Sequence, residues 1–153
     1  ICIDGDGGFF MNIQELELVY RFNLPIKFFI LNNNGYASIK NTQIGLFKGN
    51  LIACSPESGL TLPEIELISK SYKIPYFKIT NQKNLKKEVK NLTDKKGPLI
   101  IEVMVDPNHK TMPKASTYRK EDGSFASLPM EDLFPFLDRK EFLENLFIKP
   151  VKL

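Results

Sequence analysis

The residues best suited to chemistry are Gly5-Asp6-Gly7-Gly8, just after the apolar Ile1-Cys2-Ile3, and Asn32-Asn33-Asn34, which follow a second apolar run from Ile26 to Leu31. Glycines let backbone N–H groups approach an anion closely, and a helix starting there points its positive end toward it. Asp6 in the same turn would repel a bare phosphate, so the combination makes sense when a divalent cation lies between carboxylate and phosphate. The asparagines bring amide oxygens to the end of the next strand. One carboxylate, one amide oxygen, one carbonyl and a diphosphate make an oxygen shell suited to Mg²⁺.

Other readings of the aspartates stand beside this one. Gly-Asp-Gly is also a common turn with a purely structural role. Asp4, Asp6 and Glu15 imitate a calcium loop, but Gly8 and Phe9 stand where that loop needs an oxygen ligand and a glycine, which excludes it. An Asp-x-Asp pair also suits a Mg-dependent phosphatase or glycosyltransferase, and that alternative stays open.

The elements that must position these residues follow from periodicity. Ile1-Cys2-Ile3 reads as a strand ending at the glycine-dense turn. Asn12 is expected to cap a helix carrying Ile13, Leu16, Val19 and Tyr20 on one face. Leu24-Pro25 ends that helix, and Ile26 to Leu31 reads as a buried strand, completing the crossover of a parallel sheet. Further on, Pro63 suits the first turn of a helix with Ile65, Ile68 and Tyr72, and Pro75 leads the strand Tyr76-Phe77-Lys78-Ile79. Thr80 or Asn81 is expected to cap a helix running through Leu92, and Gly97-Pro98 precedes the strand Leu99 to Val105. Strands alternating with helices predict an α/β fold: a doubly wound, mostly parallel sheet with helices on both faces and a long C-terminal tail. Gly35 to Leu62 reads mostly as loop with one short helix, Asp106 to Pro129 as a long polar loop, and Asp138 to Phe147 as a helix. Residues 1–106 are expected to form the core with the motif, and 107–153 a loop and helical tail of the same domain.

Composition narrows the function classes. The 153 residues carry 21 basic and 18 acidic side chains, a net charge of +3, too small to argue for nucleic acid. Nine lysines between Lys70 and Lys96 fall around Leu85, Val89 and Leu92 at helical spacing and read as a solvated face. Apolar runs fall far short of the ~20 residues that a membrane-spanning helix needs. With only Cys2 and Cys54, a disulfide scaffold is excluded and a reducing cytoplasm is expected. A first residue that is isoleucine, inside a strand, suggests a piece of a longer protein.

Gly5-Asp6-Gly7 followed, after the 24 residues from Gly8 to Leu31, by Asn32-Asn33 resembles the motif of thiamine diphosphate-dependent enzymes. The stretches Gly7-Gly8-Phe9-Phe10-Met11-Asn12-Ile13-Gln14-Glu15-Leu16, Asn23-Leu24-Pro25-Ile26-Lys27 and Asn32-Asn33-Asn34-Gly35-Tyr36 are similar to the acetolactate synthase group. The resemblance implies the C-terminal cofactor-binding domain of such an enzyme, with thiamine diphosphate and Mg²⁺ as cofactors. It implies Asp6, Asn33 and the carbonyl of Gly35 as metal ligands. Gly5, Gly7, Gly8, Tyr36 and Ala37 would lie about the diphosphate. Many relatives carry serine at the place of Gly8, so one hydroxyl contact would be absent here. The implied reaction is decarboxylation of a 2-keto acid such as pyruvate and transfer of the acyl unit to an acceptor, in a homo-oligomer. The resemblance places the glutamate that activates the cofactor in an N-terminal domain, on this or another subunit, so this chain alone is expected to be inactive. A non-catalytic remnant of such an enzyme is the alternative.

Simpler readings suit the remaining residues. His109, the only histidine, reads as a solvated loop side chain, Cys2 as core filling, and Cys54 as a thiol with no activating base in view. Phe134, Phe136, Phe142 and Phe147 are expected to pack the tail against a domain.

Overall fold

A computed structural model describes residues 1–148, and the final residues 149–153 of the expected tail lie outside the described part. The chain divides into two compact units, Ile1–His109 and Lys110–Leu153.

The first unit is a four-stranded, fully parallel sheet in the order β1-β2-β4-β3, made of β1 (Cys2–Gly5), β2 (Lys27–Asn32), β3 (Tyr76–Ile79) and β4 (Leu99–Met104). Its helices are α1 (Asp6–Phe10), α2 (Leu16–Arg21), α3 (Ala37–Leu46), α4 (Ile65–Ser71) and α5 (Leu85–Thr93), with 3₁₀ turns at Ile13–Glu15 and Pro56–Ser58. The chain steps one way from β1 through β2 to β3 and then back to β4. Because parallel crossovers are right-handed, that reversal sends α5 to the face opposite α1, α2 and α4. The core is accordingly double. Phe9, Leu16, Val19, Ile30, Ile65, Ile74 and Ile100 fill one side, while Phe29, Ile79, Leu92, Leu99 and Ile101 fill the other. The expected doubly wound sheet is present.

Side-chain alternation explains why β2 and β4 lie inside. Phe28 and Ile30 face one layer and Phe29 the other, so a strand with both faces covered reads as continuous apolar sequence. Entry into the strands is set by a repeated device. Asn23, Lys73 and Gly97 take left-handed backbone (φ of 47°, 55° and 73°), and Pro25, Pro75 and Pro98 follow within two residues. The left-handed residue turns the chain out of the preceding helix, and the proline prevents that helix from resuming.

Several boundaries differ from expectation. Gly5 belongs to β1 and helical geometry already begins at Asp6, so the glycine-dense segment is helix start rather than turn. Asn12 precedes only a 3₁₀ turn and makes no side-chain cap. Pro63 lies before the N-cap Glu64, outside α4. The cap of α5 is Asn84, because Asn81 Oδ1 accepts the Lys83 N–H at 3.0 Å in a local turn of its own. The segment from 35 to 62 holds the ten-residue α3, none of whose residues is buried.

In the second unit, β5 (Thr117–Arg119) and β6 (Phe125–Ser127) form an antiparallel hairpin where a loop was expected, and α6 (Arg139–Glu144) follows. Asp122-Gly123 at the hairpin tip, with Gly123 at φ 84°, makes the reversal possible. Asp138 caps α6 by accepting the N–H groups of Lys140 and Glu141. Arg139 pairs with buried Asp132 at 2.8 Å and lies over the rings of Phe136 and Phe142. Phe134 and Phe136 meet edge to face, but Phe147 is exposed, so the tail aromatics do not share one packed cluster. No helix among the described residues is long and apolar enough to cross a membrane.

Candidate functional site

The site lies in the first unit, at the carboxyl ends of β1, β2, β4 and β3, where ligands of open α/β sheets bind. Asp6 is the first residue of α1 and is almost wholly buried, at 2% exposure. Its Oδ1 accepts the Gly7 N–H at 2.8 Å and its Oδ2 the Gly35 N–H at 3.0 Å. Burial pushes this carboxyl above its ordinary value, although N–H groups of Gly35, Gly7, Asn34 and Asn33 work in the other direction. A carboxylate with little water around it and only partial compensation favours an added positive charge.

The loop after β2 is held in place from several sides. Asn32 Oδ1 accepts the Asn34 N–H at 2.8 Å, and Asn34 takes left-handed backbone at φ 59°. A Cβ on Gly35 would come within 2.5 Å of the Cys54 carbonyl oxygen, so only glycine lets the two backbones approach this closely. Tyr36 donates its N–H to the same Cys54 carbonyl at 2.9 Å, and a Cβ on Gly7 would strike the Tyr36 ring at 2.4 Å. A small cavity of about 60 Å³ is lined by Asn33, Gly35, Ala37, Lys40 and Ser55 among others.

The structure therefore brings Asp6, Gly7, Gly35 and Tyr36 into direct contact, and sets Asn33, Gly35 and Ala37 around one cavity. Gly5 and Gly8 lie at the edge of this group. Asp4 is exposed and its Oδ1 accepts the Gly5 N–H at 2.8 Å, while a Cβ on Gly8 would meet that same oxygen at 2.4 Å. Among the described residues, no three His, Cys, Asp or Glu side chains converge on one point.

Sequence reasoning missed the polar centre beside this loop. Glu102, on the central strand β4, is 4% exposed and accepts hydrogen bonds from Asn32 Nδ2 at 2.5 Å and from the Tyr76 hydroxyl, with Lys78 Nζ at 3.2 Å. Burial would raise its pKa, but these three partners more than offset that and hold the carboxyl below its usual range. The same neighbourhood, chiefly burial and then Glu102, pushes the Tyr76 phenol up. Glu102, Tyr76, Asn32 and Asp6 line a larger cavity of about 330 Å³. Lys40 was also missed. Its only local signal is a place in the first turns of α3, a helix that the sequence expects somewhere between Gly35 and Leu62 without fixing its bounds.

Comparison with known proteins decides the family. The profile described as "Thiamine pyrophosphate enzyme, C-terminal TPP binding domain" matches residues 1–103. The chain belongs to that family. The C-terminal TPP-binding domain is an α/β fold, and the parallel sheet of the first unit conforms to it. Acetolactate synthase 1, chloroplastic, of Zea mays is 30% identical over 117 residues, covering 74% of this chain and 18% of the relative. The acetolactate synthase large subunit of Cyanidium caldarium is 30% identical over 113 residues, covering 74% and 19%. The chain thus spans under a fifth of the length of these curated relatives.

Proposed function

We propose that this TPP-binding domain carries the diphosphate and Mg²⁺ end of thiamine diphosphate in an acetolactate synthase-like enzyme that decarboxylates a 2-keto acid and transfers the acyl unit. The observation that carries the proposal is the Asp6–Gly35 contact at 3.0 Å, which joins the two halves of the Gly-Asp-Gly and Asn-Asn motif across the sheet edge. The donor set suits a hard cation: a desolvated carboxylate on Asp6, a side-chain amide oxygen on Asn33 and the Gly35 carbonyl. These three would hold the ion, and the diphosphate oxygens and water would fill the remaining positions.

When bound, thiamine diphosphate supplies the carbon nucleophile and electron sink for loss of CO₂ from a 2-keto acid. The domain's own contribution is binding and orientation. N–H groups of Gly7 and Gly8, just past Gly5, lie in the first turn of α1 beside Asp6. Ala37, next to Tyr36, opens α3 and shares the small cavity with Asn33 and Lys40, whose ammonium suits a polyanion. The rest of the pocket would come from other domains or a second subunit of a homo-oligomer, so we expect no acetolactate from the chain alone.

Calorimetric titration of the chain with thiamine diphosphate in excess Mg²⁺, beside Asp6→Ala, tests the reading. Saturable heat that depends on Mg²⁺ and vanishes in the variant is expected. Heat undiminished in Asp6→Ala would overturn the assignment of the metal site.

A further inference from the structure

Glu102, on β4, is separated by β2 from the strand that leads into Asp6, yet hydrogen bonds through Asn32 and the Asn34–Gly35 backbone link the two. Asn32 donates its amide Nδ2 to Glu102 Oε1, leaving Oδ1 to accept the Asn34 N–H, and the next residue, Gly35, donates its own N–H to Asp6. An asparagine amide has one donor end and one acceptor end of nearly equal shape, and nothing in its own geometry selects between them. An ionised carboxylate is acceptor-only, so it can face only the donor end. Tyr76 and Lys78, from β3 on the other side of β4, supply the hydrogen bonds that keep Glu102 ionised in a buried place.

We infer that Glu102 is a positioning residue: by fixing the orientation of the Asn32 amide, it sets the turn that carries Asn33 and Gly35 toward Asp6. The inference rests on the proposed cofactor site for its functional meaning, although the orientation itself is a property of this chain. Asn34 takes the left-handed backbone that asparagine adopts more readily than most residues, and its N–H is held there by Asn32 Oδ1 at 2.8 Å, so the turn is tied to the orientation of the Asn32 amide. Exchange of one polar atom should therefore propagate to the metal-facing loop without disturbing the apolar core.

Glu102→Gln puts a side-chain NH₂ toward Asn32 while its carbonyl continues to serve Tyr76 and Lys78. Asn32 then has to turn its oxygen to residue 102 and its NH₂ to the Asn34 N–H, two donors facing each other. The double variant Glu102→Gln with Asn32→Asp restores the match, since an aspartate accepts from both sides. Two readouts on the chain are proposed: hydrogen exchange of the Gly35 amide by NMR, and the dissociation constant for Mn²⁺ with thiamine diphosphate by magnetic resonance of the metal. Glu102→Gln is expected to speed Gly35 exchange about fivefold to tenfold, the size of one net hydrogen bond, and to weaken Mn²⁺ uptake by a similar factor. The double variant is expected to return both toward the parent.

Gly35 exchange unchanged in Glu102→Gln, or accelerated equally in both variants, overturns the inference. If Glu102→Gln does not fold, a folded double variant with parent-like Gly35 protection supports it. Failure of both to fold overturns it in favour of a general core role. Should the parent take up no Mn²⁺, the cofactor reading fails on its own, and amide exchange still decides the positioning role.

Discussion

Gly35 donates its backbone N–H to Asp6 Oδ2 across 3.0 Å, and in the same place its Cα faces the Cys54 carbonyl with no room for a side chain. One glycine thus joins three segments: the end of β1, the loop after β2 and the loop before the Pro56 turn. The absence of a side chain at Gly35 is what permits this close packing beside the buried carboxylate.

Substitution should reveal the dependence. Gly35→Ala forces a Cβ against a backbone oxygen at 2.5 Å and is expected to cost about 1–3 kcal/mol. Gly45→Ala, inside α3 with no neighbour within 4 Å of the new methyl, should instead stabilise by about 0.5–1 kcal/mol. Urea denaturation of the two variants beside the parent measures both signs at once.

The pH dependence of stability should carry two opposite contributions. Asp6 is raised above 3.8, so the folded chain holds its proton more tightly than the unfolded one. Its contribution is fully present below pH 3.8 and is lost as pH rises through the raised folded value. Saturating Mg²⁺ should reverse that trend by favouring the ionised form, and Asp6→Asn should remove the difference between the two conditions. Melting temperature against pH, with and without Mg²⁺, reports it.

Glu102 has the other sign. Its folded value lies below 4.5, so its stabilisation is present above pH 4.5 and is lost as pH falls through the folded value. A difference curve between the parent and Glu102→Gln isolates this from the other carboxylates. The gap should narrow on acidification below pH 4.5.

Ile100, fully buried on β4, sits in the side of the core that supports α1 and α4. Ile100→Val should cost about 0.5–1.5 kcal/mol and Ile100→Ala about 2–5 kcal/mol, the larger loss reflecting the cavity left behind. Chemical denaturation measures these losses. The Asp6 hydrogen bonds should survive in the valine variant, seen as unchanged Gly35 amide exchange.

Much of this molecule was legible in one dimension. The strands at Ile26 to Leu31 and Leu99 to Val105 are apolar runs broken only by Lys27 and Glu102, the first opened by Pro25 and the second by Gly97-Pro98. The Gly-Asp-Gly and Asn-Asn motif is local at each end, so its residues and spacing could be read without coordinates. Less of the rest was announced. Helix α3 has no buried residue, and therefore no apolar stripe to mark it. The β5–β6 hairpin has strands of three residues each, and only Asp122-Gly123 signals the reversal.

Residue types and spacing by themselves determined the alternation of strand and helix and the motif that carries the family resemblance, and that resemblance implied the residues of the candidate metal site. The tertiary structure alone decided what stands behind that site. Asn32 and Glu102 are 70 residues apart in the chain, and Tyr76 and Glu102 are 26 apart. They meet because the strand order places β4 between β2 and β3. A carboxylate within a run of isoleucine and valine carries no local mark of its partners, since those partners are supplied by neighbouring strands through hydrogen bonds that only the folded sheet creates.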